Sequence, residues 1–257
     1  MTLAFTCSID DGHPSDMKMA ELLSRHHLNG TFYIPITNRE RRDVLPHGAI
    51  REIADEFEVG SHTLDHCYLS SLNASQARSQ IIDGKHGLED ILGKEVAGFC
   101  YPGGKYDRRH RDMVESAGFQ YARTTMNLCF DPGSDPFRMR TTLQFYPHDW
   151  TVYVGNYLKN GNWPGRTDGL MQALKPNDWI TRLYCLFDWA AVHGLTFHLW
   201  SHSWEIDRLG AWQELSDFLG YVTSRVAVPN RLSNGQLADR SYAPPRIESE
   251  RPAPVGR

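Results

Sequence analysis

An α/β fold with mainly parallel strands is predicted by three observations on this sequence. Short apolar runs rich in β-branched and aromatic residues recur along the chain. Most are followed by ten or more residues whose apolar positions fall at helical spacing. Glycines such as Gly118 and Gly194 stand where these helical patterns stop. About seven strands alternating with helices suit either a closed barrel or an open sheet.

Residues 3–9 form the first strand, a mostly apolar run broken by Asp10-Asp11-Gly12. In residues 15–27, Met19, Leu22 and Leu23 mark a helical face, and Gly30 precedes a second strand over 31–36, which completes a βαβ unit. A helix over 49–56 and a short strand over 58–62 follow. A long amphipathic helix over 75–92 has Asn73 as its N-cap. Residues 96–101 read as a strand leading into Pro102-Gly103-Gly104, residues 108–117 as a helix stopped by Gly118, and residues 119–124 as another strand.

Turn formers cluster over 126–136, and a strand is expected over 138–146. The Gly-, Asn- and Trp-rich stretch 156–168 reads as a long surface loop, and 126–168 as the region that sets specificity. A helix over 177–193, a strand over 195–202 and a helix over 211–225 close the pattern. From Ser241 onward Pro, Arg, Glu and Ser predominate. One catalytic domain over 1–240 and a disordered tail over 241–257 are therefore expected.

The composition removes several classes of function. With 40% hydrophobic and 23% charged residues the chain is of ordinary globular make-up. Lys and Arg number 27 against 31 Asp and Glu, a net charge of −4, which argues against nucleic acid or an anionic membrane as partner. Cysteines 7, 67, 100, 129 and 185 are odd in number and contain no C-x-x-C pair. Reduced, mostly buried thiols are expected rather than a disulfide framework or zinc ribbon. No apolar run approaches the roughly 18 residues of a membrane span, and the first eight residues lack the basic stretch and apolar run of a signal peptide. A cytoplasmic protein with a small polar or neutral ligand is the expectation.

Chemistry is concentrated at three places. In His62-Thr63-Leu64-Asp65-His66 two imidazoles stand four residues apart on a strand-to-loop turn, a spacing that can aim two nitrogens at one ion if a further ligand is added. Asp10 and Asp11 place two carboxylates at the end of a buried strand, where their repulsion calls for a cation or hydrogen bonds. The pair could equally act as turn and cap of the helix that follows. In the strand over 195–202, His198, Trp200 and His202 share a face by the period of two. His198 reads as a satisfied core histidine. His202, at the strand end, reads as a general acid that Glu205 could orient.

Taken in order, these motifs resemble the polysaccharide deacetylases with a NodB homology domain, carbohydrate esterase family 4. Ser8-Ile9-Asp10-Asp11-Gly12 is similar to the family's T-F-D-D opening, His62 to His66 matches H-[ST]-x-x-H, and Leu199 to His202 is similar to the closing motif. The resemblance covers about residues 3–220. It implies a distorted (β/α) barrel of about seven parallel strands with surrounding helices. It further implies Asp10 as catalytic base, His202 as general acid, and Asp11, His62 and His66 as ligands of a divalent metal, zinc above all.

Cys100-Tyr101-Pro102-Gly103-Gly104 stands where the family has R-x-P-Y. The backbone N–H of Gly103 is then expected at the oxyanion, and Arg140, or secondarily Arg138, is expected to replace the arginine missing at Cys100. The implied reaction removes an acetyl group from an amino sugar or glycan. The alternatives are deformylation or amide hydrolysis on a nucleotide-linked, lipid-linked or other small substrate, and carbohydrate binding without catalysis through Trp163, Trp200 and Trp204.

Overall fold

The computed structural model describes residues 2–242. Its strands are β1 (Ala4–Asp10), β2 (Thr31–Ile34), β3 (Glu58–Ser61), β4 (Gly98–Cys100), β5 (Tyr121–Arg123), β6 (Leu143–Gln144), β7 (Thr196–His202) and β8 (Arg231–Leu232). The helices are α1 (Asp16–Arg25), α2 (His47–Glu56), α3 (Ala74–Leu92), α4 (Arg108–Ser116), α5 (Trp150–Asn160), α6 (Thr167–Leu174), α7 (Trp179–His193), α8 (Ser203–Leu209), α9 (Trp212–Thr223) and α10 (Asn234–Tyr242).

Local sequence fixes the long helices. Asn73 accepts from the Gln76 N–H while the Gln76 side chain returns to the Asn73 N–H, a reciprocal cap that starts α3, and Gly93 at φ 66° ends it. Asp178 caps α7 in the same sense through the Thr181 N–H, and Gly194 at φ 64° stops it.

Seven strands lie in the order β5-β4-β3-β2-β1-β7-β6, paired in parallel throughout. Met139 makes a parallel bridge to Arg123 of β5, and a few residues later Leu143 and Gln144 pair with β7. The segment 139–144 thus draws the two edges of the sheet together into the distorted (β/α) barrel. The expected strand over 138–146 is real only in part, because its two ends serve opposite edges of the sheet.

Strand parity divides the interior. Phe5, Cys7, Ile9, Phe32, Ile34, Val59, Phe99, Ala122, Phe197 and Leu199 belong to the large core under the helices. The alternate residues face the barrel axis. Among them Thr6, Ser8, Asp10, Thr31, Arg123 and His198 are polar and buried. The outer layer supplies most of the apolar burial, and the inner face combines a small apolar cluster that includes Tyr33, Cys100, Tyr121 and Met139 with polar groups that must satisfy one another.

The N-terminal end of the barrel is sealed by an element that the sequence reading did not foresee. β8 pairs with Phe5 and Thr6 of β1, and α10 begins beneath the lumen. Asn234, with 0% exposure, accepts from the Thr6 hydroxyl at 2.8 Å, donates to the Tyr33 oxygen at 2.9 Å and gives its N–H to Thr31 Oγ1 at 2.8 Å. Glu58 accepts from the Gly235 N–H and the Tyr121 hydroxyl beside it. Ser241 and Tyr242, placed in the disordered tail by composition, belong to this region, Tyr242 ending α10. The rest of that expected tail, 243–257, lies outside the described residues.

The stretch 156–168 is also corrected. Two helices, α5 and α6, flank a connection of only six residues. Asp149 caps α5 through the Thr151 N–H. The fully buried Arg166 then donates to the carbonyls of Asn127, Asn156, Tyr157 and Gly161. One guanidinium replaces the water that a surface loop would have needed. The five cysteines are free and four are buried. No helix among the described residues is long and apolar enough to cross a membrane.

Replacing Asn234 by Ala leaves the Thr6 hydroxyl and its other lumen partners short of a bond at a fully buried position. A loss of about 1–3 kcal/mol in unfolding free energy is expected. It is read as a lower urea midpoint at unchanged m-value.

Candidate active site

The functional side chains converge on the C-terminal ends of β1, β3 and β7. Asp10 is the last residue of β1 and faces the lumen. Asp11 at φ 82° and Gly12 at φ 62° then turn the chain in the left-handed region, so that consecutive carboxylates reach one site rather than opposite faces. A Cβ on Gly12 would lie 2.7 Å from Ile34 Cγ2, which reserves this turn for glycine. The turn after β3 is strained in the same way, with Thr63 at φ 69° and His66 at φ 56°. It is pinned by the Leu64 N–H to the Gln80 carbonyl and by the Asp65 N–H to Gln80 Oε1.

The Nδ1–H of His62 donates to the Cys100 carbonyl at 2.9 Å, which leaves Nε2 as the free lone pair. That nitrogen lies 3.7 Å from Asp11 Oδ1, and His66 Nε2 lies 3.0 Å from the same oxygen. One donor atom from each of the three residues falls within 4.8 Å of the others. Asp11 Oδ1 and His62 Nε2 are buried with no hydrogen-bond partner. Burial pushes the His62 pKa down to about 4, so its ring is neutral. Burial alone would raise Asp11, but the neighbouring His66 ring and the charge of His202 hold its carboxyl well below the usual range. A neutral imidazole with a bare lone pair beside an ionised, half-satisfied carboxylate fits a divalent cation.

The other oxygen of Asp11 is tied down by Trp204 Nε1 at 2.9 Å and Arg42 Nη1 at 3.1 Å, with the Arg42 guanidinium 3.9 Å above the Trp204 ring. His202 Nε2 lies 3.9 Å away, and its Nδ1–H donates to Glu205 at 2.7 Å. Glu205 also receives the Gln144 amide at 3.0 Å, and Gln144 in turn accepts from His148 Nε2 at 2.8 Å. Burial opposes the charge on His202, but Glu205, Asp11 and Asp10 outweigh it and raise its pKa to about 9. His202 is a protonated acid at neutral pH.

Asp10 meets Arg123 Nη2 on one oxygen and the Cys100 thiol, at 3.8 Å, on the other. The expected partner is thereby corrected. Arg140 pairs with Asp131 at 3.1 Å, and Arg138 donates to the Tyr106 hydroxyl at 3.1 Å. Arg138 and Arg140 flank Met139, which bridges to Arg123, and both are committed to partners away from Asp10. His198 is a satisfied core residue, bonded to Ser8 and to the Arg140 carbonyl.

Gly103, at φ 58°, lines a cavity of about 200 Å³ with Asn127, Gln144, His148 and Trp200. Thr125 and Asn160 are shared with a neighbouring cavity of about 690 Å³ that runs past Tyr106 and Arg138. Of the three tryptophans expected to meet a sugar, Trp200 lines this groove, Trp204 is committed to Asp11, and Trp163 donates to the Tyr157 carbonyl.

Residues 4–122 match the family model described as polysaccharide deacetylase. That matched segment is just under half of the chain. It contains Asp10, Asp11, His62, His66, Cys100 and Gly103 of the site just described. The Bacillus subtilis protein YxkH, named for the same family, is 24% identical over 120 residues, which are 46% of this chain and 43% of that protein. The chain thus spans less than half of this curated relative.

A Mycobacterium smegmatis protein whose crystal structure carries the same family name superposes with a TM-score of 0.64 at 16% identity, covering 93% of this chain and 90% of the other. BA3943 of Bacillus anthracis, described as a pseudoenzyme of carbohydrate esterase family 4, superposes with a TM-score of 0.53 at 14% identity over 93% of this chain and 66% of its own. Both likenesses concern the fold, and at 93% of this chain both reach beyond residues 4–122.

Behind the site, Asp16 is buried with one oxygen on the Ser203 hydroxyl and the other without a partner. Burial raises its pKa well above 3.8. A carboxyl raised in the folded state gives up stability as pH climbs through and above its unfolded pKa. The difference in melting temperature between Asp16→Asn and wild type is therefore expected to move in favour of the variant from about pH 3 to about pH 8. A difference that does not vary with pH contradicts this reading.

Proposed function

We propose that this chain is a metal-dependent hydrolase that removes the acetyl group from an N-acetylated amino sugar or glycan, with residues 1–240 as its catalytic domain. One observation carries the reading. Unsatisfied, buried ligand atoms of Asp11 and His62 stand beside His66, a lumen-facing carboxylate and a protonated imidazole, all at the ends of three barrel strands. The deacetylase segment over 4–122 supports the substrate class.

Asp11, His62 and His66 would hold the ion, with Zn2+ as the assigned metal because two imidazoles and one carboxylate leave positions open for water and substrate. When bound, it supplies Lewis-acid polarisation of the amide carbonyl and lowers the pKa of water.

The chain's own residues do the rest. Asp10 takes the proton of the attacking water. The Gly103 N–H donates to the oxygen that gains charge as the carbonyl carbon becomes tetrahedral. His202 Nε2–H protonates the departing amine, so that C–N cleavage releases acetate and a free amino sugar. Glu205 accepts from Nδ1–H and stabilises the imidazolium, so that Nε2 also carries a proton to give to the leaving nitrogen. The uncharged wall of Asn127, Gln144 and Trp200 suits a neutral hydroxylated ring.

Purified protein supplied with zinc should carry about one ion per chain, and the double variant His62→Ala, His66→Ala should lose it, as read by elemental analysis. Against acetylated amino sugars, Asp10→Asn and His202→Gln should each lower kcat by about 10²–10⁴ with the metal retained. Release of formate but not acetate from matched substrates would replace the acetyl assignment with a deformylase. Sugar binding without release of either acid would make the chain a carbohydrate-binding protein on this scaffold.

A further inference from the structure

We infer that Arg123 is a positioning residue for the Asp10 carboxylate, holding the base from β5 at the point where β4 presents only a thiol. The inference rests on the proposed role of Asp10 and adds a residue outside the deacetylase segment to the machinery.

Four observations carry it. Arg123 has 0% exposure, and its Nη2 contacts Asp10 Oδ1 inside the lumen. A buried cation is retained only where an anion compensates its lost hydration, and the reverse holds for Asp10. The guanidinium also lies over two ring faces, its carbon 5.3 Å from the Tyr33 centroid and 5.1 Å from that of Trp200. Its plane is therefore set by rigid neighbours, and the oxygen it binds is set with it. Nε and Nη1 have no partner, so the pairing with Asp10 is through Nη2 alone.

The fourth observation is the register. Cys100 and Arg123 are direct partners in the β4–β5 ladder and stand side by side on the lumen face. The Cys100 sulfur reaches the second oxygen of Asp10 at 3.8 Å. The two strands thus hold the two oxygens of one carboxylate, and the cation sits on one of two adjacent, geometrically related positions. With both lone-pair directions of Asp10 restrained, the carboxylate does not rotate between productive and unproductive orientations when substrate arrives.

The register also supplies the test, which is to transpose the pair. Arg123→Cys should lower kcat by about 10–10² while KM changes by less than about two-fold and zinc content stays at the wild-type level. The transposed variant, Arg123→Cys with Cys100→Arg, returns the guanidinium to the lumen from the neighbouring strand and should regain most of the lost kcat. Arg123→Lys, which keeps the charge without the planar fork, should fall between the two.

Wild-type kcat in both Arg123→Cys and Arg123→Lys overturns the inference, as does an equal loss of kcat in the single and transposed variants. Should Arg123→Cys fail to fold, Arg123→Lys and the transposed variant decide, since wild-type kcat in the former or no turnover in a folded, zinc-loaded form of the latter overturns it. Asp10→Asn is measured alongside. If that variant keeps turnover, the base assignment itself fails. If it is inactive while Arg123→Cys works normally, only the role of Arg123 falls.

Discussion

The structure depends on burying an ion pair inside a barrel. Asp10 and Arg123 lie on strands that are not neighbours, separated in the sheet by β2, β3 and β4. Their contact spans the lumen, where neither charge can find water. Such a pair is tolerable only if the surrounding shell is secured by other means, since breaking it leaves an uncompensated charge. The outward-facing residues of the same strands provide that security. Phe5, Ile9, Phe32, Phe99 and Phe197 pack beneath the helices and make the barrel stable enough to hold a polar interior.

A division of labour by parity follows. Along β1 every residue is buried, yet the two faces serve different ends: Phe5, Cys7 and Ile9 hold the fold, while Thr6, Ser8 and Asp10 form a polar column from the sealed end to the reactive end. At the sealed end the column terminates in Asn234. At the open end it meets the Asp11, His62 and His66 donors, which the two strained turns bring forward.

Much of this was legible in the residues, for identifiable reasons. The helix caps are local, so Asn73, Gly118 and Gly194 declare the elements they bound. Asp10, Asp11, His62, His66 and His202 declare themselves because ligand chemistry restricts residue type, and because the motifs occur in order. The unread parts depend on contacts distant in sequence. The helices α5 and α6 looked like a loop because the signal for their connection is one buried arginine satisfying carbonyls from three segments. Arg42 and Trp204 approach Asp11 from a loop and a short helix that no period marks. Arg123 did carry a signal. It shares inward parity with Tyr121 in a strand otherwise apolar, and a cation in that position is costly without a buried anion. Arg140 was the weaker choice because its neighbour Asp131 already provides an exposed partner.

The sealing of the barrel by α10 has a consequence for how the chain acquires its structure during synthesis. The strands β1 to β5 leave the ribosome first, but their lumen face has no floor until Asn234 arrives and no closing wall until β6 and β7 do. A nascent chain that ends at residue 122 or earlier lacks Arg123, so Asp10 is without its counter-charge. The order of translation therefore places Asp10, Asp11, His62 and His66 in the half made first, and Arg123, His202 and Asn234, which complete the lumen, in the part that follows. A chain that ends before β8 and α10 therefore lacks the Asn234 bonds that close the column at Thr6, Thr31 and Tyr33.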